Sequence, residues 1–228
     1  MRELKSVNCY TVKKRSGPAD ISAEWNSPDW QSVQPVRIDR FRPESSAHQP
    51  VAECRLQHDG QGFYGLFLVR DNYVRCVTTE HNGNVCQDSC VEFFVEPPGS
   101  QGYLNFEFNC GGTMLIYHIR DCRRTEAGFA EFSPITAREA ASVKVFHTMP
   151  TVVDPEITGE TTWRLGFSLP FPLFESRFKN LSVKSGQTWR GNFYKCADGT
   201  SHPHWASWSP VSTLNFHLPE CFGRIALG

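Results

Sequence analysis

No stretch of this sequence approaches the length of an apolar membrane-spanning segment, so no transmembrane helix is expected. Charge of one sign is also missing: 23 Lys and Arg stand against 24 Asp and Glu, mixed along the chain. A nucleic-acid or acidic-lipid partner would need a basic patch that this balance does not offer. G-x-S-x-G, Walker, H-E-x-x-H and dinucleotide-binding signatures are absent, which removes the catalytic chemistries those motifs carry. None of the nine cysteines forms a C-x-x-C, so the zinc-finger and thioredoxin-like readings lack their spacing. Their odd number leaves at least one unpaired. Cys86 and Cys90 are near enough in sequence to reach one another, but several cysteines occupy apolar-patterned strand positions, where a free thiol acts as a small hydrophobe. Met1-Arg2-Glu3-Leu4-Lys5 carries charge without an apolar region, so no secretory signal is visible there. Together with the unpaired thiols, this leans toward a reducing, cytoplasmic compartment.

Long helical periodicity is missing too, and Leu and Ala are modest, whereas aromatics make up 13% of the 228 residues. That composition favours strands. The clearest are Asp88 to Glu96 and Gly102 to Cys110, each alternating with period 2 on either side of the turn residues Pro97-Pro98-Gly99-Ser100. Val91, Phe93 and Val95 share one face with Leu104, Phe106 and Phe108. Glu92, Phe94 and Glu96, with Asn105, Glu107 and Asn109, fall on the other. Further strands are read at Val7 to Val12, Val51 to Gln57, Phe63 to Arg70 (with Tyr73 to Thr78 continuing it or starting anew), Thr113 to Ile119, Val143 to Met149, Thr161 to Leu169, Gln187 to Cys196 and Arg224 to Leu227. Residues 121 to 141 are poorly patterned, with one helical turn near Ile135 to Ala141, and Pro150 to Gly159 reads as a loop. Pro170 to Phe174 allows one short helix. About ten short strands predict an all-β antiparallel sandwich, immunoglobulin-like or jelly-roll-like. No repeat, low-complexity tract or linker divides the chain, so one domain over 1–228 is expected.

Several constellations could carry chemistry. Trp189 to Lys195 sends Arg190, Asn192 and Tyr194 to one face, and Trp163 to Phe167 sends Arg164 outward. If these strands join the sheet of Glu92, one surface holds carboxylates, amides, a phenol and guanidinium groups, able to bond the crowded hydroxyls of a sugar. An ordinary solvated face with cross-strand ion pairs accounts equally well for the same pattern. His202-Pro203-His204-Trp205-Ala206-Ser207-Trp208-Ser209-Pro210 places two indoles in a loop. Indoles can stack on the C–H faces of pyranoses, although at least one is expected to plug the end of the sandwich. The H-x-H lacks a nearby carboxylate or Cys to complete a metal site. Glu92 and Glu107 on adjacent strands could act as the acid and base of a glycoside-processing enzyme. Met114 and His118 share a strand face that could hold haem.

Asp88-Ser89-Cys90-Val91-Glu92-Phe93-Phe94 resembles the D-S-V-E-hydrophobic-F strand of family 9 carbohydrate-binding modules and their DOMON-like relatives. Tyr103 to Thr113, Trp189 to Lys195, Trp205 to Pro210 and Asn215 to Gly223 are similar to other signatures of that group. The resemblance runs from about residue 25 to 228. It implies a lectin-like β-sandwich, an extracellular or periplasmic setting, and often a structural calcium, for which Asp88 with Glu92 would supply oxygens. In that family a sugar lies between two tryptophans. Here Val85 and Cys86 stand where the first would come, and Phe216 near the second. The expectation is thus non-catalytic binding of a mono-, oligo- or polysaccharide, with no cofactor required. Trp205, Trp208 and Phe216 would stack, while Glu92, Glu107, Asn109, Arg190, Asn192 and Tyr194 bond hydroxyls in one shared hollow.

Overall fold

The computed structural model describes residues 8–126 and 128–228. Val7 and the charged segment Met1 to Lys5 lie outside them. The described residues form fourteen strands: β1 Cys9–Lys14, β2 Val36–Arg37, β3 Arg40–Phe41, β4 Val51–His58, β5 Gly62–Cys76, β6 Cys90–Glu96, β7 Tyr103–Asn109, β8 Met114–Thr125, β9 Gly128–Pro134, β10 Lys144–His147, β11 Val153–Pro170, β12 Thr188–Cys196, β13 Trp205–Ser207 and β14 Gly223–Leu227. Three short helices punctuate them, α1 Pro28–Gln31, α2 Ala137–Ala140 and α3 Phe171–Arg177.

One layer runs β14-β12-β6-β7-β8-β9, and the other runs β4-β5-β11-β10. Strand β1 belongs to both: Cys9 to Val12 pair with β14, and Lys13 and Lys14 pair with β4. Those two pairings are parallel; the rest are antiparallel. Val91, Phe93, Val95, Leu104, Phe106 and Phe108 all face the space between the layers. They meet Phe63, Phe67, Trp163 and Phe167 from the other side in one apolar cluster. Alternation assigned those inward faces correctly, because a half-buried strand must send every second side chain to the core.

The strand lengths differ from the sequence expectation. β5 has 15 residues and β11 has 18, so Tyr73 to Cys76 continues its strand and part of the expected Pro150 to Gly159 loop is paired. Register shifts between Val153 and Ile157 and between Thr158 and Thr161 break the alternation there, which is why the pairing is invisible to a period-2 reading. β9 hides in the poorly patterned 121–141 region for the same reason, with shifts on either side of Asp121.

Both layers have covered outer faces. Residues 19–30 bring Ile21, Trp25 and Trp30 onto Tyr64, Leu66 and Leu68 of β5. Arg164 lies in this second layer, away from Glu92, with its guanidinium donating to the Ala23 carbonyl and the Glu24 carboxylate. Residues 208–222 cross the outer face of the first layer, where Phe216, Leu218 and Phe222 pack on Phe94, Tyr103 and Tyr194. The polar face of the first layer is therefore roofed by its own chain.

Candidate functional site

Register assembles the site. β6 and β7 pair Glu92 with Glu107, while β6 and β12 pair Glu92 with Tyr194 and Cys90 with Cys196. All five point to the roofed outer face. Where the roof stops short, a pocket of about 460 Å³ opens, with Glu92, Glu107 and Cys196 among its lining and Trp205, Phe216, Asp198 and Arg124 around them.

The two glutamates are 2% and 6% exposed. Burial drives the Glu92 carboxyl well above the usual range, and neighbouring Glu107 pushes the same way. Burial lifts Glu107 to about 7, against the lowering pull of the Asn105 amide. Asn105 Nδ2 donates to Glu107 Oε1 at 2.7 Å, and the Tyr117 backbone N–H fixes Asn105 by donating to its Oδ1 at 2.9 Å. Glu92 Oε1 accepts from the Cys196 thiol at 3.1 Å, and Glu92 Oε2 has no hydrogen-bond partner among the described residues. Asp198 is also raised by burial, and accepts from Trp205 Nε1 at 2.7 Å, which orients the indole. Arg124 lies over Phe129, 4.0 Å from the ring centroid. Phe216 stacks on Tyr194 with centroids 4.1 Å apart, and the Tyr194 hydroxyl donates to the Phe216 carbonyl at 2.9 Å.

Of the residues singled out from sequence, Glu92, Glu107, Trp205 and Phe216 meet at this pocket. Tyr194 stands behind Phe216 and supports it. The remaining four lie elsewhere. Trp208 is packed edge-on against Tyr10 and Phe193 in the core, three residues beyond Trp205 and on the opposite side of the sheet. Arg190 pairs with Glu96 at 3.2 Å and donates to the Pro219 carbonyl, at the far end of β12. Asn192 exchanges bonds with Ser209, giving to its carbonyl at 2.9 Å and accepting its N–H at 2.8 Å. Asn109 donates to the Thr78 carbonyl and to Asp88. The shared hollow containing Glu92, Arg190 and Trp208 is thus corrected to a pocket at one end of that face.

Metal and haem expectations change likewise. Asp88 Oδ1 accepts from the Val77 N–H at 2.9 Å, and Oδ2 from the Thr78 N–H and Asn109 Nδ2 at 3.0 and 2.9 Å. Its oxygens clamp a loop rather than face a cation. Met114 packs against the core, while His118 lies against Phe178 and bonds the Gln101 carbonyl at 3.3 Å. His204 accepts from Lys195 Nζ at 2.8 Å, and His202 stacks on Tyr73 at 3.6 Å, so the H-x-H locks a loop. All nine cysteines are free. Among the described residues, the donors of Cys90, Glu92 and Cys196 lie within 4.8 Å of one another and form the group able to hold a metal.

Sequence reasoning missed Asp198, Arg124 and Cys196. Cys196 was within reach, two positions beyond Tyr194 on the same strand face. Asp198 follows the end of β12, and Arg124 follows the irregular register of β8, so alternation carries to neither.

The sequence model of carbohydrate-binding family 9 matches residues 27–227. A Bacteroides uniformis protein taken to bind carbohydrate is 29% identical, with 98% of this chain and 100% of that one aligned at a TM-score of 0.83. A family 9 module from Caldicellulosiruptor kristjanssonii in complex with glucose is 13% identical, covering 97% and 96% of the two chains at a TM-score of 0.63. A family 9 module from the same organism in complex with cellotriose gives 14% identity, 96% and 93% coverage and a TM-score of 0.62. No curated protein matches the chain.

Proposed function

The chain belongs to carbohydrate-binding family 9, and on that footing we propose that its pocket binds a saccharide without transforming it. One observation carries the reading: buried carboxyl groups of Glu92 and Glu107 form the base of a pocket walled by Trp205 and Phe216. A pyranose presents apolar C–H faces and a rim of hydroxyls. Aromatic walls suit the first, and carboxyl oxygens, which make the stronger directional bonds, suit the second. Cys86, at the place of the family's first clamp tryptophan, also lines the pocket. The sugar is therefore flanked by Trp205 and Phe216 rather than held between two indoles. Asp198 holds Trp205, and Tyr194 holds Phe216, so both walls are fixed before the ligand arrives.

Glucose and cellotriose, the ligands of the Caldicellulosiruptor modules, are the first to titrate calorimetrically. Trp205→Ala and Glu107→Gln should each weaken binding about tenfold, roughly 1.4 kcal/mol. Trp208→Ala should lower the melting temperature while the folded fraction binds as before. Unchanged affinity in both pocket variants would remove the proposal. Turnover of chromogenic glycosides that disappears in Glu107→Gln would replace binding with catalysis.

A further inference from the structure

We propose that Cys90, Glu92 and Cys196 form a site for one thiophilic divalent cation, zinc by preference, at the base of the pocket. The sheet register creates it. Cys90 and Cys196 are directly opposite on β6 and β12, and Glu92 follows Cys90 by two residues, so all three side chains leave the same face. Their donor atoms lie within 4.8 Å of one another, and all three residues are buried. A tetrahedral zinc ion with Zn–S about 2.3 Å and Zn–O about 2.0–2.2 Å separates its donors by about 3.5–3.8 Å. The 3.1 Å between Cys196 Sγ and Glu92 Oε1 is close to that spacing, so small side-chain rotations suffice.

A second observation points to a ligand. Glu92 is 2% exposed, lines the pocket, and leaves Oε2 without a hydrogen-bond partner among the described residues. A buried carboxyl oxygen with nothing to accept from is costly. The thiol contact at Oε1 satisfies half of the group only. A cation bound by the carboxylate and both sulfurs would compensate all three.

Donor chemistry selects the ion. Calcium and magnesium require shells of oxygen, whereas two thiolates favour zinc or a similarly soft metal. Binding releases the thiol protons to solvent and needs no electron transfer. Two thiolates and a carboxylate leave one net negative charge on a bound dication, and Arg124 lines the same pocket. Three protein ligands leave the fourth tetrahedral position for an oxygen, from water or a sugar hydroxyl, on the side of the pocket that Glu92 and Cys196 line. The site does not depend on the saccharide reading.

The test uses the full chain, reduced and stripped with a chelator. Zinc is titrated in competition with a chromophoric chelator, and cobalt(II) is added separately for its absorption spectrum. One zinc per chain is expected, with a thiolate-to-cobalt charge-transfer band. Cys196→Ser and Glu92→Gln should each weaken zinc at least tenfold, while Cys54→Ser, buried elsewhere in the core, leaves uptake unchanged. Absence of stoichiometric zinc uptake, or cobalt uptake without the thiolate band, overturns the site, and the spectrum of the unmodified protein decides this even if a cysteine variant fails to fold. No sugar is used, so failure here leaves saccharide binding standing, and the converse also holds.

Discussion

Asp88 shows how one side chain can be read two ways until its neighbours are known. It sits in an acidic motif that suggested an oxygen ligand, yet three N–H donors already occupy its oxygens. Asp88→Ala leaves those donors buried and unpaired at about 1–3 kcal/mol each, less than additively. A loss of about 3 kcal/mol in urea unfolding is expected, with added calcium leaving the midpoint unchanged. Trp205 and Trp208 make a related point. Their odd separation puts them on opposite sides of a strand, but the segment reads as a loop, so nothing in the sequence prompts the alternation. Two histidines, His204 buried and His217 half-buried, contribute to acid sensitivity. Burial holds His217 at about 3, with Arg124 adding to it, and burial together with Lys195 holds His204 at about 3. Both are neutral when folded. Below pH of about 6.5 the unfolded chain takes up protons at these two sites that the folded chain does not, so their contribution to stability falls between about pH 6.5 and 3 and then levels. Glu92 and Glu107 oppose it at the upper end, because their raised carboxyls bind protons in the folded chain first. The slope is about 1.4 kcal/mol per pH unit for each histidine. His217→Phe should flatten that decline in thermal melts across the range; an unaltered slope would show that its neutral form is not what acid removes.

At the scale of the element, the decisive piece is the segment 208–222, which turns an ordinary polar sheet face into a covered one. Its sequence has no periodicity that reveals where it lies, and this is why the inward half of each strand was legible while the fate of the outward half was not. The Tyr194 hydroxyl is one of its anchors. Tyr194→Phe should cost about 1 kcal/mol in stability and loosen Phe216. A few-fold loss of saccharide affinity is expected by calorimetry, from a residue that does not line the pocket. The β6–β7 connection is set more locally. Gly102 has φ of +85°, and a Cβ there would run into the Ile119 carbonyl on β8. Gly102→Ala should therefore destabilise by more than the 1–2 kcal/mol of the left-handed conformation alone, measured by chemical denaturation.

The molecule as a whole was legible as a sandwich because its core strands keep strict alternation, and illegible where bulges, edges and crossings interrupt it. β11 and β9 carry register shifts, and the strand order cannot be read from a sequence in which distant segments become neighbours. The most distant of these neighbours are β1 and β14, paired in parallel, with β14 bonded on its other side to β12. During synthesis β1 emerges before any other described strand and β14 after all of them. Until Gly223 to Leu227 clear the ribosome, β1 and β12 both present unsatisfied backbone edges, the kind of template on which nascent chains join one another. Production of this fold should then be limited by the time those edges wait. Slowing translation between the codons of β12 and β14, or starving the cell of holdase chaperones, would divert the chain into inclusion bodies well before the finished sandwich itself became fragile.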